Sequence, residues 1–256
     1  MPNNDRLKAT LLMKAALPLT KTLIEEKPKL AAKYKNWNRV VQFQVKDDAE
    51  LACHLAFTNG KLDFVNGRHP SPEIDFIFKD PTSFVALLTG KLAIPKIKGA
   101  IKNLGTLIGF LPLMLGLTML MPDKLPEDQE GRALKVKMLL YFISVALSQL
   151  NKAGDKEFQK FVKKSPDRVY QWSVEGGASA YLRMKHGKTK AGKGLYTRRR
   201  PFVHMQFSSI DGAFLILTSQ IDNVEAMKGG HLVIDGSPEH GKDISGFMLK
   251  IGDMIA

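Results

Sequence analysis

The 256-residue chain holds six histidines, His54, His69, His186, His204, His231 and His240, and a single cysteine, Cys53. Held together, such residues act as acids, bases, nucleophiles or metal ligands, so their spacing comes first. No two of the histidines stand at the helical spacing of metal ligands. Cys53 and His54 are neighbours in "ELACHLAF", but adjacent residues of a strand point to opposite faces and do not form a nucleophile–base pair. A buried, structural cysteine is the expected role. No Gly-x-Ser-x-Gly nucleophile elbow is present. "GKTKAGKG", Gly187 to Gly194, has the spacing of a phosphate loop as far as its Gly-Lys. It then places Gly194 where the magnesium-binding Ser or Thr belongs, and it lies between strand patterns where a strand and a helix are required. The residues therefore predict no catalytic group, no metal and no cofactor: the protein reads as a non-enzyme.

Charge is the next signal. A net charge of +13 and a sequence pI near 9.7 favour polyanionic partners: an anionic bilayer, nucleic acid, or a phosphate-bearing ligand such as an acyl-coenzyme A. Between Glu175 and Asp211 there is no acid, yet the interval carries Arg183, Lys185, Lys188, Lys190 and Lys193, then Arg198, Arg199 and Arg200. A second acid-free interval, Pro81 to Pro122, carries Lys91, Lys96, Lys98 and Lys102. Little aromatic interleaving accompanies the basic run beyond Tyr181 and Tyr196, which makes nucleic acid an unlikely partner. The single cysteine and the absence of a clear signal peptide predict a cytoplasmic protein, associated with membranes at most peripherally.

The elements that must position these residues recur. "RVVQF" (Arg39 to Phe43) and "RVYQW" (Arg168 to Trp172) stand 129 residues apart, and the same offset superposes "PEIDFIF" (Pro72 to Phe78) on "PFVHMQF" (Pro201 to Phe207). "NGK" at Asn59 meets "HGK" at His186, and Gly109-Phe110 meets Gly246-Phe247. Val41, Phe43 and Val45 alternate with Gln42 and Gln44, as Tyr170, Trp172 and Val174 do with Gln171 and Ser173, so each set predicts a strand with one apolar face. One-faced sheets need cover, and the apolar segments Leu7 to Glu26 and Leu134 to Leu150 are read as leading helices. The expected fold is α+β in two tandem repeats: residues 1–122, a linker at 123–132 containing Pro122-flanked and Pro126-flanked acidic sequence, and residues 133–256.

"LGTLIGFLPLMLGLTMLM", Leu104 to Met121, has no charge and sits at the lower edge of what spans a bilayer. Its counterpart in the second repeat, Asp243 to Ile255, carries Asp243, Lys250 and Asp253 and reads as amphipathic. Apolar on all sides, the first of these helices is expected to be buried on both, against the other repeat, a ligand or a membrane surface.

In its order of elements the chain resembles the sterol carrier protein type-2 domain family. The first copy has "NGKLDFVNG", "EIDFIFKD", "TSFVALLTGKL" and "KIKG"; the second has "HGKTKAGKG", "FVHMQFSS", "GAFLILTSQ" and "AMKGGHLVIDG". The likeness covers roughly residues 38–118 and 167–256. It implies a five-stranded sheet covered by helices and an apolar cavity for a fatty acid, acyl chain or sterol, with no chemistry of its own. Phe84 to Gly99 takes 15 steps where Phe214 to Gly236 takes 22, so the first copy lacks about one covering helix. The cavity wall implied in the first copy is Phe76, Phe78, Leu107, Phe110, Leu111 and Met114. In the second it is Met205, Phe207, Ile244, Phe247, Met248 and Ile251. Lys96, Lys98, Lys102, Arg198, Arg199 and Arg200 are expected to meet an anionic head group or a membrane. The rival reading is a peripheral membrane adaptor without a ligand cavity.

Overall fold

In the computed structural model of the protein, which describes residues 4–255 (Ile255 by its backbone alone), the chain forms two compact units that divide between Met121 and Pro122.

The first unit opens with helix α1 (Asn4–Leu11), which runs into a π-helical turn at Leu12–Ala16. Helices α2 (Leu19–Glu26) and α3 (Pro28–Tyr34) follow. The leading segment is thus interrupted where one helix was expected, and Pro18, which lacks an amide proton, stands at the break. Strands β1 (Arg39–Val45), β2 (Asp48–Thr58), β3 (Lys61–Asn66), β4 (Ile74–Phe78) and β5 (Lys96–Lys98) make one sheet of order β3-β2-β1-β4-β5. β1 and β4 are parallel, and the other pairs are antiparallel. The β2–β3 turn is Asn59-Gly60 with φ of 48° and 78°, the left-handed pair that matches the twist of a hairpin. Helix α4 (Pro81–Leu88) begins in a capping box between Asp80 and Ser83, and α5 (Leu104–Leu117) ends the unit with a 3-10 turn at Thr118–Leu120.

The second unit repeats this order. Helix α6 (Gln129–Lys152) is capped by Asp128, so it starts inside the stretch expected to be linker; α7 (Lys156–Lys164) is capped by Asp155. Strands β6 (Arg168–Val174), β7 (Ser179–Lys185), β8 (Lys188–Lys193), β9 (Val203–Phe207) and β10 (Leu232–Gly236) form a sheet of order β10-β9-β6-β7-β8. Again the central pair, β6 and β9, is parallel, and His186-Gly187 makes the hairpin turn with φ of 50° and 74°. Helices α8 (Ile210–Leu217), α9 (Asn223–Lys228) and α10 (Pro238–Ile255) complete it. No helix of the first unit corresponds to α9, since residues 89–95 are not helical, as the shorter sequence interval predicts.

The α+β expectation holds in both units, and so does the alternation that carried it. Val41, Phe43 and Val45 are buried on the helix-covered face of one sheet, and Tyr170, Trp172 and Val174 on that of the other. Each short edge strand ends in a glycine with positive φ, Gly99 at 81° and Gly236 at 105°, and a Cβ there would lie 2.1 Å from a backbone carbonyl oxygen. Among the described residues, α6 is the one helix whose length and composition would allow a membrane crossing. It is 67% buried over its apolar window, as the central helix of a folded unit is.

Candidate functional site

Each sheet has a polar face and a helix-covered apolar face, and neither brings a catalytic cluster together. On the polar face of the first unit Asp75 accepts from Gln42 Nε2 at 3.0 Å and Gln44 Nε2 at 2.7 Å. The matching place in the second unit is held by His204, whose Nε2 meets Gln171 at 3.1 Å and Ser173 Oγ at 2.7 Å. Burial lowers the His204 pKa from its ordinary value, against a weaker upward pull from Asp235. His204 is thus an outward-facing polar residue, as the strand alternation predicts. Cys53 is fully buried on the other face from His54, and burial raises its thiol pKa steeply, which keeps it protonated and unreactive. Among the described residues no group of His, Cys, Asp or Glu is placed to hold a metal ion.

The residues expected to line a cavity lie on the apolar faces, but the two units treat them differently. In the first unit Phe76 on β4 stacks on Phe43 with ring centroids 4.9 Å apart, Phe110 of α5 comes within 6.0 Å of Phe43, and Phe78 packs edge-on to Phe84. All are buried. Around them α5 is rotated from its expected setting. Its buried face is Thr106, Gly109, Phe110, Leu113 and Leu117, while Leu107 and Met114 are half-buried and Leu111 is exposed. The cause is close approach at two glycines. Trp37 lies over Gly109, where an added Cβ would fall 2.4 Å from the ring, and Leu23 of α2 packs on Gly116 in the same way. The Tyr34 hydroxyl donates to the Gly109 carbonyl at 2.7 Å. Tyr34 is fully buried, and that burial pushes its phenol up to about 12. Tyr34, Trp37 and Phe57 form a compact aromatic knot that closes this side of the first unit. Helix α5 is therefore not buried all round: Leu104, Ile108, Leu111 and Leu115 form an exposed stripe.

In the second unit Met205, Phe207, Ile244 and Ile251 are buried, but Phe247 and Met248 of α10 are half-exposed. Phe247 packs against Phe158 at 4.8 Å and Phe161 at 5.3 Å, both on α7; Phe161 adjoins Tyr170 at 6.0 Å, and Tyr170 adjoins Phe202 at 6.1 Å. Phe161 and Phe202 are also half-exposed, so a partly exposed aromatic cluster lies over β6. Beneath it two fully buried donors have no hydrogen-bond partner among the described residues, the Tyr170 hydroxyl and Trp172 Nε1. They lie on the same face of β6, two residues apart, where the first unit has Val41 and Phe43. An unpaired buried donor costs roughly 1–3 kcal/mol, so such atoms are uncommon in a finished core. Burial raises the Tyr170 pKa, opposed by Arg168 and Ser165, which lie near its hydroxyl without completing a well-aligned hydrogen bond. The Arg168 guanidinium sits over Phe202 at 4.2 Å, which puts a cation beside this aromatic cluster. Sequence reading used Arg168 to align the repeats and took Tyr170 and Trp172 as part of an apolar strand face; the signal it missed is that these two carry polar atoms where the first copy has Val41 and Phe43.

The charged residues divide as well. Lys96, Lys98 and Lys102 are exposed. Of the three consecutive arginines only Arg198 has no acidic partner among the described residues. Arg199 donates to Asp167 at 2.6 Å and Arg200 to Asp235 at 2.8 Å. Asp167 also takes Arg183 in a two-pronged pair, which foremost holds its carboxyl well below the usual range. Arg199 and Arg200 are thus surface residues already held in ion pairs, bordering a cleft of about 500 Å3 beside Phe202 and Ser237. These acids lie outside the basic interval in sequence, and so the pairing escaped sequence reading.

Sequence comparison now bears on this arrangement. Residues 20–97 match the SCP-2 sterol transfer family. Over that segment, just under a third of its length, the chain is similar to that family. The matched segment runs from α2 through β5, the sheet of the first unit with its neighbouring helices. Comparison with curated proteins finds no match. Among solved structures, the chain is similar to a stereoselective inverting sec-alkylsulfatase from Pseudomonas sp., with 14% identity over 63% of this chain and 30% of that one, at a TM-score of 0.27. A double mutant of a sec-alkyl sulfatase shows 15% identity over 58% and 28%, at 0.28. The chain thus spans less than a third of either enzyme, and scores this low carry no argument about activity. The SCP-2 match supports lipid or sterol binding as the general role of the domain.

Proposed function

We propose that the protein is a non-catalytic lipid carrier whose second unit holds the ligand, a long-chain fatty acid, acyl-coenzyme A or sterol-like lipid, between sheet and helices. The observation that carries this reading is the pair of unpartnered donors, Tyr170 hydroxyl and Trp172 Nε1, behind the half-exposed ring of Phe161, Phe202, Phe247 and Met248. A carboxylate, carbonyl or hydroxyl entering there would accept from both, and Arg168 would favour an anion. The apolar remainder would be driven in by removal from water, at about 0.8 kcal/mol per buried methylene. About ten methylenes would then match a micromolar dissociation constant before ordering costs are subtracted. Methionines such as Met205 and Met248 would let the wall adapt to more than one chain shape.

Native mass spectrometry of protein purified without detergent, followed by solvent extraction, tests this. A discrete lipid adduct is expected, diminished in Phe247→Asp and in Tyr170→Phe protein that remains folded by circular dichroism. A bare protein mass that persists after incubation with palmitate and with cholesterol would overturn it.

A further inference from the structure

Half of the exposed large hydrophobic residues among those described fall between Leu92 and Leu115, a tenth of the chain. Single exposed apolar residues are ordinary on any surface; a concentration of them is not. Leu92, Ile94 and Ile101 are 94%, 88% and 97% exposed, a degree that no packing role explains. They flank β5, an edge strand, and lead directly into α5, where Leu104, Ile108, Leu111 and Leu115 repeat at helical spacing on its uncovered side. Pro112, whose missing amide leaves the Ile108 carbonyl without its helical donor, falls beside the same stripe.

Within this segment the charges have one sign. Lys91, Lys96, Lys98 and Lys102 are all exposed, and no acid occurs from Pro81 to Pro122. The nearest carboxylates before β5, apart from the Asp80 cap, are Asp75, which is buried and accepts from Gln42 and Gln44, and Glu73, which is committed to the Val40 amide. A second copy of the chain docking here would bring like charges together, whereas an anionic leaflet complements both the grease and the lysines. At 14 residues α5 is about 21 Å long, short of the roughly 30 Å hydrocarbon core, so it suits the interface and not a crossing.

We propose that the first unit docks on an anionic lipid bilayer, with Leu92, Ile94 and Ile101 entering the leaflet, the outer stripe of α5 lying in the interface, and the neighbouring lysines meeting the head groups. This does not depend on ligand carriage by the second unit. The test is flotation of the full-length protein with vesicles of phosphatidylcholine containing one third phosphatidylserine, against vesicles of phosphatidylcholine alone. Binding is expected to the mixed vesicles only and to weaken with salt. Lys91→Gln with Lys102→Gln should weaken it roughly thirty-fold. Leu92→Ser with Ile101→Ser, fully exposed positions whose exchange leaves the core untouched, should weaken it at least ten-fold at unchanged thermal stability. Tyr170→Phe should bind vesicles as the parent does, which separates this surface from the ligand site. Equal flotation of the Leu92/Ile101 variant and the parent would overturn the proposal. So would loss of binding on replacing Arg198, Lys188 and Lys190 while the Lys91/Lys102 variant binds fully.

Discussion

The two units share strand order, parallel central pair, hairpin turn and edge-strand glycine, yet they finish their apolar layers in opposite ways. In the first, Tyr34 bonds to the Gly109 carbonyl, Trp37 lies on Gly109, and the helix is drawn down until its far side is left bare. In the second, the corresponding helix α10 packs half-exposed Phe247 on Phe158 and Phe161, and two buried donors on β6 have no partner among the described residues. One frame therefore yields one unit with grease outside and another with unsatisfied polar atoms inside. The difference lies in a few side chains and not in topology, and topology alone does not set function.

The sharpest way to break this comparison is at its paired glycines. Gly109→Ala would force the Trp37 ring to move and is expected to destabilise the first unit by roughly 1–3 kcal/mol, as overpacking does. Gly246→Ala meets open space on α10 and is expected to stabilise the second unit by about 0.5–1 kcal/mol through helix propensity. Urea denaturation followed by Trp37 in one unit and Trp172 in the other reads the two effects separately; equal effects of the same sign would mean that the first unit is not sealed at Gly109.

A smaller contrast concerns the tyrosines. Tyr34→Phe removes a buried hydrogen bond and should cost about 1 kcal/mol, whereas Tyr170→Phe deletes an unpartnered hydroxyl and should leave the ligand-free protein as stable or slightly more so. The same denaturation experiment decides it. If Tyr170→Phe costs as much as Tyr34→Phe, its hydroxyl has a partner within the protein and is not waiting for a ligand.

The smallest effect is on pH. His204 has a folded pKa below its ordinary 6.5, so the unfolded chain takes up the proton first on acidification. Its contribution is complete above about pH 6.5 and is lost as pH falls through the window beneath. The Trp172-reported midpoint should drop across that window in the parent and less so in His204→Gln, with no such change reported by Trp37. A parallel drop in both reporters would remove His204 as the cause.

Much of this was legible in the sequence. Alternation at Val41–Val45 and Tyr170–Val174 placed the strands, Asn59-Gly60 and His186-Gly187 placed the hairpins, and the shorter Phe84–Gly99 interval foretold the helix missing from the first unit. Alternation and turn chemistry are local, so a single sequence reveals them. The setting of α5 was not legible. A helix apolar on every side has no periodicity to fix its rotation, and Gly109 and Gly116 read as weak helix formers when they are points of close approach for Trp37 and Leu23. The arginine pairs were not legible for a related reason: Asp167 and Asp235, which hold Arg199 and Arg200, are 32 and 35 residues away along the chain. Contacts at that distance belong to the fold and leave no spacing signal.

One tryptophan in each unit makes the central claim directly measurable. Palmitate is titrated into Trp37→Phe protein, whose emission then reports Trp172 alone, and into Trp172→Phe protein, which reports Trp37 alone, with native mass spectrometry counting bound lipid in the first. A saturable change at Trp172, matching a stoichiometry of one lipid, with Trp37 silent, is the predicted result. A saturable response from Trp37, or a lipid bound at full stoichiometry that leaves Trp172 unchanged, would contradict it.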